Sequence, residues 1–227
     1  VGVEQSARGR KSNGQTGRLV VDRSEIVFGN GFVAGERRLT LAENWPLPVV
    51  VVAYPITYDG HPDSYPLHIA SKILSDGQSS RIYRKLVYDT GLALTAFGGG
   101  NIVEHPNLFY AVAIVQPGHT TEEVAQALIG EFERFRNEPV SDRELQQSKN
   151  QFARDYITSR ETNQQKASHL AHAVVIHQDV RTADGEFDIF TGMTPADVQR
   201  VARTYFTPDT RLVMTILPKA GANRSVR

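Results

Sequence analysis

The stretch GQSSRIYRKLVYDTGLAL, Gly77 to Leu94, holds a turn, a short helix and the start of a strand. Gly77 ends the preceding helix as a left-handed cap would. Ser79 or Ser80 supplies the cap oxygen for the next one. Ile82 and Leu86 form one apolar stripe, with Tyr83 and Val87 beside it, and Gly91 closes the helix. Leu92–Phe97 then reads as a strand. Two charges oppose the helix dipole: Arg81 sits at its positive end and Asp89 at its negative end. A misplaced charge of this kind costs about 0.3–1 kcal/mol. Arg81 therefore calls for a compensating partner, most simply a buried carboxylate or loop carbonyls. The alternatives are a solvated Arg with no partner, or a catalytic Arg.

The pattern extends in both directions. Upstream, VAGERRLTLA (33–42) has strand character, and PVVVVAYPI (48–56) is a continuous apolar run suited to a strand buried on both faces. Asp63 or Ser64 caps a helix carrying Tyr65, Ile69 and Ile73 on one stripe. Downstream, LFYAVAIV (108–115) is another strand, reached through GGGNIVEHPN. A helix from Thr121 places Val124, Leu128, Phe132 and Phe135 in register and stops at Pro139. The acids Glu122, Glu123, Glu131, Glu133 and Glu138, with Arg134 and Arg136, read as its solvated face. Ser141 and Glu144 form a capping box that opens a long helical region to about His177, with a break near Thr162–Asn163. Thr194, Pro195 and Asp197 open a further helix, and RLVMTILP (211–218) is the last strand. Adjacent strands on short loops, with helices clustered between the pairs, predict an α+β fold. Its sheet is mainly antiparallel, of about five to six strands, with helices on one face.

Composition narrows the function. The chain has 227 residues, 25 Lys+Arg and 25 Asp+Glu, so its formal charge is zero and a generally basic nucleic-acid binder is not indicated. It has no Cys, which excludes disulfides and thiolate chemistry and suits cytosol and periplasm alike. No apolar run approaches the ~18 residues of a membrane span. Residues 1–18 carry four Gly and four Lys/Arg with almost nothing apolar, and read as a flexible linker or remnant. Residues 19–218 read as a single domain, and 219–227 as a flexible tail. Because the first residue is Val, the chain is expected to be a processed product or a piece of something longer.

Several features recur in one order: GERR before a strand, a helix ending ILSDG, SSRIYRKLVYDTGLA, and a Gly-rich strand. PVSDRELQQSK (139–149), TPADV (194–198) and LVMTILP follow. This set resembles the C-terminal, inactive domain of the insulinase/pitrilysin group of zinc metallopeptidases, in its bacterial processing-peptidase-like branch, over about Val33 to Pro218. The resemblance implies a partner: an N-terminal half bearing zinc on H-x-x-E-H and facing this half across a chamber for extended peptide. The seven His here, at 61, 68, 105, 119, 169, 172 and 177, contain no such motif, so neither catalytic residues nor a metal site is expected in this chain. The resemblance implies that zinc sits in the other half. Some inactive domains of the family supply an Arg and a Tyr that grip substrate. Those positions are Val87 and Leu94 here, so a second subunit is expected to supply them.

The resemblance implies a non-catalytic half that walls the chamber and supports the zinc-bearing half. A purely structural assembly subunit is the alternative within the family, and an unrelated α+β binding module is the alternative outside it. Ser79, Ser80, Arg81 and Tyr83 are expected to act as scaffold. Gly98, Gly99 and Gly100 are the candidate substrate-binding residues, because an edge strand of glycines lets a peptide backbone approach. The competing reading of GGG is a bulge and loop. His169 and His172 share a helix face, with His177 off it, and neighbouring Ala and Val favour a packed helix over a metal site. Bacterial relatives are often exported, which favours the periplasm.

Overall fold

Strand β2 (Val49–Ile56) sits at the centre of a five-stranded sheet. The structure, a computed structural model, describes residues 35–219. The linker expected at 1–18, the domain start at 19–34 and the tail beyond Lys219 lie outside the described residues. The other strands are β1 (Arg37–Glu43), β3 (Ala93–Gly100), β4 (Asn107–Val115) and β5 (Leu212–Pro218). Their order is β1-β5-β2-β4-β3. All neighbours are antiparallel except β1 and β5, which run parallel. Short-loop reasoning applies only to hairpins. The whole helical region lies between β1 and β5, long enough to return the chain in the same direction.

The helices are α1 (Ser64–Leu74), α2 (Arg81–Tyr83), α3 (Thr121–Asn137), α4 (Asp142–Thr158), α5 (Asn163–His177), α6 (Thr182–Gly192) and α7 (Pro195–Tyr205). Four N-termini carry a complete capping box: Thr120/Glu123, Ser141/Glu144, Thr162/Gln165 and Thr194/Asp197. Each satisfies two otherwise orphaned amides, which is why these helices start where they do. Thr162 is also the expected break, since it caps α5 after α4 has ended. Helix α6 escaped the sequence pattern because TADGEFDIFTG has two Gly and buries only Ala183 and Phe190.

Alternate residues of the central strands point into one core. Val50, Val52, Tyr54 and Ile56 of β2 meet Phe109, Ala111, Ala113 and Val115 of β4. Against them lie Leu67 of α1, Phe132 of α3 and Val201 of α7. At its centre Phe206 contacts Phe109, Phe132 and Tyr54, with ring centroids 4.9, 5.2 and 5.3 Å away.

Of the two serines offered as the α2 cap the structure selects one, and two other local expectations need correction. Ser80, not Ser79, caps α2: its Oγ accepts from the Tyr83 amide and donates to the Gly77 carbonyl. Asp63 occupies the cap position of α1 but makes no cap bond. It accepts instead from Arg200 Nη2 at 2.7 Å and from the Tyr205 hydroxyl at 2.9 Å, joining α1 to α7. Glu131 is not on a solvated face. It is buried at 4% exposure, and burial pushes its carboxyl up from the usual range. It lies one position before Phe132, where α3 turns toward the core.

Candidate functional site

Arg81 has a partner. Its Nε and Nη2 donate to the two carboxylate oxygens of Glu144 at 2.6 and 2.8 Å, a bidentate fork. Glu144 also accepts from the Ser141 amide and hydroxyl, so one carboxylate closes the α4 capping box and holds the start of α2. The Arg81 hydrogen bonds, aided by those from Ser141 and opposed by partial burial, bring the Glu144 carboxyl down to about 2. The guanidinium lies 5.2 Å over the Phe135 ring. Ser79 Oγ accepts from Gln147 of α4 at 3.2 Å, and Tyr83 stacks edge-on against Tyr88. Asp89 is exposed. These contacts reach α3 and α4, not an open cleft.

After Tyr83 the helix continues as a π-helical segment, Arg84–Asp89. The Thr90 amide and hydroxyl both donate to the Lys85 carbonyl, the first of these five residues back. Val87 packs against the core, and Leu94 is 45% exposed on β3. Neither apolar side chain can hydrogen-bond a substrate.

Strand β3 is the last in the sheet and pairs only with β4 among the described residues. Its irregularity falls between Ala93 and Thr95, so the glycines form neither the bulge nor the loop; Gly98, Gly99 and Gly100 continue the ladder opposite Ala111, Tyr110 and Phe109. Their small size has internal causes. A Cβ on Gly98 would lie 2.1 Å from the Tyr110 carbonyl oxygen and 2.8 Å from Ala111 Cα. A Cβ on Gly99 would lie 3.0 Å from Ser71 Oγ, and Gly100 donates its amide to that same hydroxyl at 3.2 Å. Helix α1 thus clamps the far end of β3.

The clamp predicts an order of sensitivity. Gly98→Ala forces two backbones apart and should lower stability by about 1–3 kcal/mol in urea unfolding. Gly99→Ala should cost less, because Ser71 can rotate away. An equal or reversed order would show that β3 adapts freely.

The sheet face opposite the core cluster is apolar and forms a groove lined by Trp45, Val49, Phe97, Val112, Ile114 and Ile216, with Glu43 and Asn44 at its rim. It crosses β3, β4, β2 and β5. Trp45 is 49% exposed and Phe97 50%. Sequence reading missed this surface because outward apolar positions on β4 and β5 look like core positions until the helices are placed. Phe97 belongs to both features, lining the groove while standing next to Gly98 on the edge strand.

The peptidase M16 inactive domain family matches residues 25–152, more than half of the chain. The zinc protease PqqE of Helicobacter pylori is 24% identical over 157 residues, covering 69% of this chain and 35% of that protein. A solved protease from Helicobacter pylori superposes with a TM-score of 0.76 at 22% identity, over 83% of this chain and 46% of that one. A solved inactive peptidase domain from Bordetella parapertussis gives a TM-score of 0.69 at 26% identity, over 80% of this chain and 98% of that one. The chain therefore spans about a third of the curated relative and under half of the Helicobacter structure.

Proposed function

The chain belongs to the peptidase M16 inactive domain family, and from that premise we propose that it is the non-catalytic half of a zinc metalloendopeptidase, walling a chamber that receives extended peptide. The observation that carries this reading is the continuity, through Phe97, of an apolar sheet face with strand β3, whose outer edge has no partner among the described residues. An edge strand offers backbone donors and acceptors to a peptide added in register, while a neighbouring groove takes its side chains. The zinc and its activated water belong to an N-terminal half, and a second subunit supplies the Arg and Tyr that Val87 and Leu94 do not. Ser79, Ser80, Arg81 and Tyr83 serve as scaffold for the strand that follows them. The setting is exported and periplasmic; among the described residues no helix is long and apolar enough to cross a membrane.

Trp45 is the sole Trp of the chain and lines the groove, so its fluorescence reports occupancy. An unstructured apolar peptide should shift Trp45 emission to the blue in a saturable way. Phe97→Asp should weaken that response at least tenfold, and the chain should not cleave the peptide with or without zinc. A response that survives Phe97→Asp sinks the groove assignment. Zinc-dependent cleavage by this chain alone sinks the division of labour between halves.

A further inference from the structure

Helices α5 and α6 bring together three side chains that the peptide-binding reading does not use. His172 and His177 lie toward the end of α5, and Glu186 lies on α6. One ligand-capable atom of each falls within 4.8 Å of the others. We propose that these three residues form a site for a divalent transition cation of the zinc class, fastening α5 to α6.

The geometry supports ligation in two ways. His177 Nε2 is buried and has no hydrogen-bond partner among the described residues. An unpaired buried ring nitrogen is costly unless something fills its lone pair. His172 Nε2 stands 2.7 Å from Asp59 Oδ2. A ring that donates there holds its other nitrogen as an acceptor, the carboxylate–histidine arrangement that orients metal ligands. The His172 and His177 rings, with centroids 5.9 Å apart, approach edge-to-face without stacking.

The donor set also fits the ion. Two imidazoles and one carboxylate suit zinc, with bonds of about 2.0–2.2 Å and a fourth position for water. Those bond lengths place ligand atoms about 3.4 Å apart, so the side chains need to close by about 1 Å on binding. His172 is 41% exposed, which leaves an entry path. The charged neighbours are known. Arg160 Nη2 stands 3.4 Å from Glu186 Oε2, and His169 Nδ1 stands 3.9 Å from it. Arg160 competes for the carboxylate and must yield part of it. The loop beneath the site reaches His177 through Gly60, which has a φ of +89°. A Cβ there would lie 3.1 Å from Ile176 Cγ2 and 3.8 Å from His177 Nδ1.

The site differs from the zinc expected in the other half, and its test does not read activity. Cobalt(II) is titrated into the full chain at pH 7.5, and visible absorption and calorimetry are recorded; zinc is then added in competition. One equivalent should bind, with an absorption band of tetrahedral or five-coordinate cobalt that zinc removes. His177→Gln and Glu186→Gln should each weaken binding at least tenfold while circular dichroism stays unchanged. His105→Gln and His119→Gln, outside the cluster, should bind as the parent does. No stoichiometric binding by the parent overturns the proposal. So does binding that persists in His177→Gln, or that His105→Gln or His119→Gln removes.

Discussion

Phe206→Ala should lower the unfolding free energy by about 3–5 kcal/mol, the largest effect of any single truncation in the core. Phe206 is 1% exposed and stands at the end of α7. Its ring meets Tyr54 of β2, Phe109 of β4, and Phe132 and Phe135 of α3. Four rings from three elements converge on it, so the walls of the resulting cavity are tied to separate backbones and cannot collapse together. Phe206→Leu keeps most of the volume and should cost under about 2 kcal/mol. Urea unfolding reads both, with an unchanged slope and a shifted midpoint. A loss below about 1 kcal/mol for the Ala variant would mean that the aromatic cluster repacks.

Arg81→Ala should lower stability by about 2–3 kcal/mol, since it strands a carboxylate that the fold has arranged around the guanidinium. Arg81 is only 12% exposed, but Glu144 at 32% keeps some water, which places the effect below that of a fully buried pair. Arg81→Lys keeps the charge and loses the fork, so it should recover less than half of the loss. The pH dependence carries the sharper signature. The Glu144 carboxyl sits at about 2 when folded, against an ordinary value of 4.5. The stability it contributes is present above about 4.5 and disappears as pH falls through about 2. Over that window Arg81→Ala should show a flatter acid slope than the parent, with the remainder set by Ser141. Identical acid slopes in the two proteins would show that Glu144 does not depend on Arg81.

Sequence reading succeeded where local chemistry decides structure. The Ser141/Glu144 box, the Thr194-Pro195-Asp197 opening, the left-handed Gly77 and the closing Gly91 are all present, the two glycines with φ of +77° and +66°. The need of Arg81 for a partner, a carboxylate or loop carbonyls, was also legible, because a charge at the wrong end of a dipole needs an answer. That its partner is Glu144 was not, although both residues had been singled out. They are 63 positions apart, and only the packing of α2 on α4 joins them. The same limit hid the role of Glu131 and the departure of Asp63 from its cap. Asp63 is turned away from the α1 start by Arg200 and Tyr205, and Glu131 is buried by packing that the α3 pattern does not show. The groove around Trp45 and the His172–His177–Glu186 cluster are features of assembled elements, and no spacing rule reaches from α5 to α6 or from β3 to β5.

The position of β5 between β1 and β2 sets the timetable of folding. Of the described strands β1 is made first, but among them it can pair only with the one made last. Until Leu212–Pro218 has been synthesised, β1 has no neighbour among the described strands and β2 has one on a single side, while β2, β4 and β3 can already zip together. Such distant pairing slows folding and leaves strand edges open to aggregation meanwhile. A polypeptide halted before Leu212 should therefore accumulate in chaperones or inclusion bodies despite having made every described helix, and the seven residues of β5 should be enough to rescue it.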